Sequence, residues 1–200
     1  MCEKILNIAG GKIPPLNPKD PAFIVNIDTM FYRNHDPADV EQQGLTWNQS
    51  HNVMYDVRSD AFEFMERTVL SFDRVCIYRF LEHVSFTQLP YFIYLVSTVT
   101  KVGDNVDVIV PNYEILANMI LEEAQFFEEN NMAVFPEHNI LLTTELLNEP
   151  SCPHASIWTP ARAKYFWELE GRFNVTIDST AFEFDGRDLY LRFFATRTRT

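Results

Sequence analysis

The chain has 200 residues, which suits one domain, and its 46% hydrophobic and 22% charged content sets it apart from disordered chains. Acidic residues number 28 against 16 basic ones, giving a net charge of −12 and a pI near 4.8, with no long basic run. That balance disfavours a phosphate backbone as partner.

The cysteines Cys2, Cys76 and Cys152 are widely spaced and form no Cys-x-x-Cys pair, so neither a disulfide framework nor a thiolate zinc site is indicated. Cys76 lies in an apolar run and reads as a small core residue. No stretch reaches the ~20 apolar residues of a membrane span, and no charged leader precedes the first apolar run, so the chain reads as cytoplasmic.

In chain order, Lys4 to Ala9 is a short apolar run ended by Gly10-Gly11, a buried strand and a turn. Pro14, Pro15, Pro18 and Pro21 argue against a regular helix before the second apolar run, Ala22 to Ile27, which ends in Asp28. Residues 30 to 50 read as a long connection. Val53-Met54-Tyr55 is a third strand ending in Asp56. Ala61 to Leu70 carries Phe62, Met65 and Val69 at helical spacing.

A fourth strand spans Phe72 to Tyr78. Ser85 then caps a helix running across Pro90 to Val99, and Gly103-Asp104 turn the chain into a fifth strand, Val106 to Val110. Tyr113 to Asn130 reads as a helix whose glutamates form a solvated face. Residues 132 to 158 are irregular. Thr159 caps a helix with Pro160 in its first turn, ending at Gly171. Phe173 to Ile177 and Leu189 to Thr196 form a last, antiparallel pair separated by a turn at Asp185-Gly186. The Arg197 and Arg199 end reads as a frayed terminus.

Strands alternating with helices predict an α/β fold: a doubly wound, Rossmann-like, mostly parallel seven-stranded sheet with an antiparallel last strand, in one domain over 1–200. Such sheets bind ligands beyond strand carboxyl ends, here Gly10-Gly11, Asp28, Asp56 and Tyr78-Arg79. The glycines let backbone approach a ligand, or make an ordinary tight turn. Asp28 is spaced from them nearly as the ribose-binding acid of dinucleotide folds, ~20 residues on, but also reads as a solvated strand-end acid. Asp56 can accept from an adenine amino group, with Val57 over the ring, or can make an Asx turn. Together they describe an adenosine pocket. The chain lacks a G-x-x-x-x-G-K-[ST] loop, so adenosine without phosphates fits better than NAD or ATP.

Lys4-Ile5-Leu6-Asn7-Ile8-Ala9-Gly10-Gly11 with Ile24 to Asp28 resembles the opening of class I S-adenosylmethionine-dependent methyltransferases, in a branch with a shortened first crossover. Phe72-Asp73-Arg74-Val75 with Phe80-Leu81-Glu82-His83-Val84 resembles that family's fourth-strand region, which commonly ends in Leu-Glu-His-Val. Lys101 to Asn112, His154 to Pro160 and Phe173-Asn174-Val175 are similar to its later segments. The family's acid-x-Gly-x-Gly is Asn7-Ile8-Ala9-Gly10-Gly11 here, lacking the acid and the first glycine.

The resemblance implies S-adenosyl-L-methionine as cofactor, with Gly10 and Gly11 under its methionine and ribose, Asp28 on the ribose and Asp56 on the adenine. Tyr78 and Arg79 would border methyl transfer. Beyond the fourth strand, His83 is placed to act as a base near neutral pH, or to pack against the next helix, and Glu82 to steady the site. His154 fits a lid facing the substrate. His138, Cys152 and His154 lack the close paired spacing of a zinc site. The expected activity is methyl transfer to a small molecule, sugar or protein side chain. A methyltransferase-like scaffold with a binding or assembly role is the alternative, and a nucleotide-binding oxidoreductase a third reading. A homo-oligomer is compatible with either of the first two.

Overall fold

The computed structural model describes residues 3–8, 22–28, 53–118, 121, 155–178, 182–184 and 187–199, excepting the side chains of 53–56, 182–184, 187 and 188. In chain order the elements are β1 (Glu3–Ile8), β2 (Ala22–Asp28), β3 (Val53–Arg58), α1 (Ala61–Arg67) and β4 (Phe72–Tyr78). A 3₁₀ turn (Leu81–His83), α2 (Leu89–Val99) and β5 (Thr100–Pro111) follow, then a helix α3 described over 113–118. The last elements are α4 (Pro160–Glu168), β6 (Phe173–Ile177), β7 (Phe182–Phe184) and β8 (Arg187–Arg197).

The strands form one sheet in the order β3-β2-β1-β4-β5-β8-β6, with β7 paired to β8 off this path. Neighbours from β3 to β5 are parallel. β8 is antiparallel to both β5 and β6, so six of the seven strands on the path run one way. From β1 the chain winds outward through β2 and β3, then returns to the opposite side of β1 with β4 and β5. That reversal falls between the carboxyl ends of β1 and β4, the position where open sheets of this kind usually bind ligands.

Alternation along each strand divides the core. Leu6, Val25, Val75, Val108 and Phe193 share one face with Met65 of α1, Phe92 of α2 and Trp167 of α4. Ile5, Ile24, Cys76, Ile109 and Tyr190 line the other, with Tyr113 and Leu116 of α3. Both faces are covered, which is why the parallel strands read as unbroken apolar runs. Each fully buried Leu, Ile or Phe contributes about 1.5–3 kcal/mol of transfer free energy.

Several boundaries differ from expectation. Helix α1 starts where Asp60 Oδ1 accepts from the backbone N–H groups of Phe62 and Glu63, and it stops at Arg67 because Thr68 is extended. Val69 therefore lies outside the helix and is 98% exposed, not in the core. Helix α2 begins at Leu89, with Pro90 in its first turn. The Ser85 hydroxyl bonds the side chains of Thr87 and Gln88 rather than capping a backbone N–H.

Strand β5 begins at Thr100, directly on α2. Phe72 pairs with Thr100 but Arg74 pairs with Asn105, so the expected Gly103 turn is a break in register inside the strand, with Gly103 at φ +93°. Helix α4 has its expected Thr159 cap, ends at Glu168, and is followed by Gly171 at φ +65°. β7 was not foreseen. It makes a hairpin with β8 across residues 185 and 186. Arg197 is not frayed: it closes β8 and donates to the Thr100 carbonyl.

Candidate functional site

Asp28 is the last residue of β2 and half-buried, and its backbone carbonyl accepts from Ser59 N–H at 3.1 Å, tying the segment after β3 to the end of β2. Asp56 does not follow its strand as expected. β3 continues to Arg58, so Asp56 pairs with Asn26 and it is Arg58 that lies level with Asp28. Val57 is half-buried and packs against the core cluster shared with α1 and α2. Gly10, Gly11 and His154 lie outside the described residues.

Across β2, β1, β4 and β5, the paired residues Asn26, Asn7, Cys76 and Asp107 form one transverse row, all buried. Asn7, standing where the family pattern has an acid, donates its amide to Asn26 Oδ1 at 2.8 Å. A neutral amide pair thus occupies a position where a carboxylate would have to be desolvated.

Further along the row, Asp107 is gripped at both oxygens by Arg192 of β8, Nε to Oδ1 at 2.9 Å and Nη2 to Oδ2 at 2.7 Å. Tyr78 donates its hydroxyl to the same Oδ2 at 2.8 Å. Because Asp107 pairs with Cys76, the Tyr78 phenol leans back along β5, away from the strand end. Burial pushes its ionisation well above the usual phenol range, and the neighbouring Cys76 and Asp107 add to this. The hydrogen bond to Asp107 raises the Arg192 pKa against the opposing effect of burial. Burial also pushes the Cys76 thiol up to about 12, so it is protonated at neutral pH.

Arg79 follows β4 with φ +55°, the one positive φ at a described non-glycine residue. Its N–H donates to the Ile109 carbonyl at 2.8 Å, fixing the bend. Its exposed side chain places the guanidinium carbon 5.5 Å from the ring centroid of Tyr190, a buried residue of β8. Such backbone strain collects at ligand sites.

The 3₁₀ turn beyond it carries Glu82, fully buried, and His83, half-buried. The Glu82 carbonyl accepts from Ala155 N–H at 2.6 Å and Ser156 N–H at 3.0 Å. The Ser156 hydroxyl donates to the Leu81 carbonyl at 2.8 Å and accepts from Trp158 Nε1 at 2.9 Å. The segment entering α4 therefore clamps the Leu-Glu-His turn. Asn26, Asp107, Tyr190, Arg192 and Ser156 were not singled out from sequence. Asp107, an acid inside Val106 to Val110, was the one visible signal.

Among the described residues no group of three His, Cys, Asp or Glu side chains is arranged to hold a metal ion, and His138 and Cys152 lie outside them. No described helix is long and apolar enough to cross a membrane.

No protein-family model matches the chain, and no curated protein does. Solved structures do. The S-adenosylmethionine-dependent methyltransferase SibL, in its apo form, aligns with a TM-score of 0.60 at 14% identity, covering 99% of this chain and 51% of its own. An O-methyltransferase family protein from Burkholderia thailandensis gives 0.57 at 11% identity, covering 98% and 51%. A SAM-dependent methyltransferase from Methanosarcina mazei gives 0.56 at 13% identity, covering 99% and 94%. The chain thus spans about half the length of the first two and nearly all of the third. It has the class I S-adenosylmethionine-dependent methyltransferase fold.

Proposed function

We propose that this chain is an S-adenosylmethionine-dependent methyltransferase that uses the crevice between β1 and β4. The observation carrying this is the strand order itself, with its reversal between β1 and β4 and a half-buried acid, Asp28, closing β2 at that end. An ionised carboxylate accepts from two neighbouring hydroxyls, so Asp28 suits a ribose. Gly10 and Gly11 would pass under the cofactor, and Asp56 and Val57 would serve its adenine. When bound, S-adenosylmethionine supplies an electrophilic methyl group, and alignment dominates the remaining chemistry.

Arg79 forms the rim after β4, and Tyr78 supports it from below rather than presenting its hydroxyl. His83 is the candidate proton acceptor, His154 the lid, and the buried Glu82 a positioning residue for their turn. The acceptor is a small molecule or a protein side chain, nucleic acid being disfavoured by the net charge of −12. A cytoplasmic setting accords with this reading.

Calorimetric titration of S-adenosylmethionine tests it. Binding should weaken about tenfold to a hundredfold in Asp28→Ala, the worth of a charged hydrogen bond. No binding at millimolar cofactor refutes it. The non-catalytic scaffold keeps one supporting observation: Asn7 is committed to Asn26 where the family pattern has an acid. Cofactor binding without turnover on any acceptor would favour that second reading.

A further inference from the structure

Two carbonyls immediately precede His83, and the chain at 155–156 reaches both. The Glu82 carbonyl accepts from Ala155 N–H at 2.6 Å and Ser156 N–H at 3.0 Å. The Leu81 carbonyl accepts from the Ser156 hydroxyl at 2.8 Å and, within the turn, from Val84 N–H at 3.1 Å. The peptide plane joining Glu82 to His83 also carries the His83 N–H, which donates to the Phe80 carbonyl at 3.0 Å. A planar peptide held at both its oxygen and its nitrogen cannot rotate freely, and the Cα of His83 ends that plane. A 3₁₀ turn of three residues has poor internal hydrogen-bond geometry, so its rigidity has to come from outside.

Ser156 is where the outside hold converges. It is 2% exposed, and its hydroxyl oxygen, having donated to Leu81, accepts from Trp158 Nε1 at 2.9 Å. Trp158 is fully buried, stacked on Phe193 of β8 and edge-on to Phe166 of α4. Its carbonyl accepts from Tyr113 N–H at the start of α3. The anchorage therefore runs from the core to the Leu-Glu-His turn through one hydroxyl. Removing it strands a buried indole N–H and loosens the turn at the same stroke.

We infer that Ser156 is a positioning residue for His83: its hydroxyl, anchored by Trp158, sets the direction in which the imidazole stands beyond the carboxyl end of β4. The inference rests on the methyltransferase reading for the task of His83 as proton acceptor. Proton transfer needs the accepting nitrogen within hydrogen-bond reach of the nucleophile, so a small rotation of the turn disables it. Buried as it is, Ser156 acts through the turn.

The test follows the His83 ring signal in histidine-labelled protein by nuclear magnetic resonance, with and without saturating S-adenosylhomocysteine. The signal is assigned by its loss in His83→Gln. In wild type, S-adenosylhomocysteine should move it. Ser156→Ala should still bind S-adenosylhomocysteine within about twofold of wild type, since Asp28 is untouched, but its His83 signal should broaden and lose the response. Ser156→Thr, which keeps the hydroxyl, should restore it. Val175→Ala, in the buried face of β6 three strands along the sheet from β4, should lower the thermal midpoint yet leave the response intact, separating positioning from lost stability. Should Ser156→Ala not fold, Trp158→Phe, which removes the donor on Ser156 and keeps an aromatic ring, is read by the same signal and should weaken the response. With S-adenosylhomocysteine bound, a His83 signal that stays still in wild type, or moves as far in the variant read as in wild type, overturns the inference. Failure of the methyltransferase reading is seen separately, as absence of S-adenosylhomocysteine binding to wild type.

Discussion

The hydroxyl of Tyr78 donates to the Asp107 carboxylate at 2.8 Å, beneath the end of the strand whose next residue is Arg79. This bond makes Tyr78 a support rather than a reactant. Its removal in Tyr78→Phe leaves a buried carboxylate with one donor fewer and should cost about 1–3 kcal/mol of stability in urea unfolding. S-adenosylhomocysteine affinity should be unchanged. A variant as stable as wild type contradicts the assignment.

Arg192 and Asp107 form the partner pair, with side chains 22% and 3% exposed. Breaking such a pair strands a charge, whereas replacing both members does not. Arg192→Met should therefore destabilise by about 3–5 kcal/mol, and Asp107→Leu with Arg192→Met should recover much of that loss. If the double variant is no more stable than Arg192→Met, the stranded-charge account is wrong.

Cys76 is fully buried and its thiol is pushed up to about 12 by that burial. In a Cys2→Ser, Cys152→Ser background it should resist a thiol-specific disulfide reagent at mildly alkaline pH while folded, and react once the protein is unfolded. Rapid labelling of the folded protein contradicts the placement.

Asp73 ties β4 to β1 and β5 by accepting from Lys4 N–H at 2.9 Å and from the Lys101 ammonium. Burial opposes its ionisation, but these donors outweigh it and hold its carboxyl below the ordinary 3.8. A depressed carboxylate stabilises the fold above its unfolded pKa, and the contribution fades as pH falls through the folded value. Asp73→Asn should thus lower the thermal midpoint slightly at neutral pH, the difference shrinking as the pH drops below 3.8. Asp104 behaves oppositely: burial and the nearby Asp73 raise its pKa, so its ionised form opposes folding as pH rises. A midpoint difference for Asp73→Asn that stays constant with pH contradicts the sign.

The parallel strands were legible because burial on both faces leaves continuous apolar runs. β1, β2 and β4 were foreseen nearly to the residue. Val69 misled because helical spacing persists in sequence where Thr68 has already left the helix. β7 was missed although Phe182-Glu183-Phe184 before Asp185-Gly186 is a hairpin signal, since a three-residue strand gives little periodicity.

The site was less legible for a topological reason. Asn7 finds Asn26 only through the β1–β2 register, and Asp107 meets Arg192 only through antiparallel pairing across 85 residues of sequence. Asp56 was placed past its strand because Val53-Met54-Tyr55 is the apolar part of β3, whereas the hydrogen-bonded ladder runs on to Arg58.

The most direct test is a crystal structure of the protein with S-adenosylhomocysteine. The account predicts the nucleoside in the crevice between β1 and β4, its ribose hydroxyls on the Asp28 carboxylate. A ligand bound elsewhere, or that crevice filled by the chain's own side chains, would contradict it.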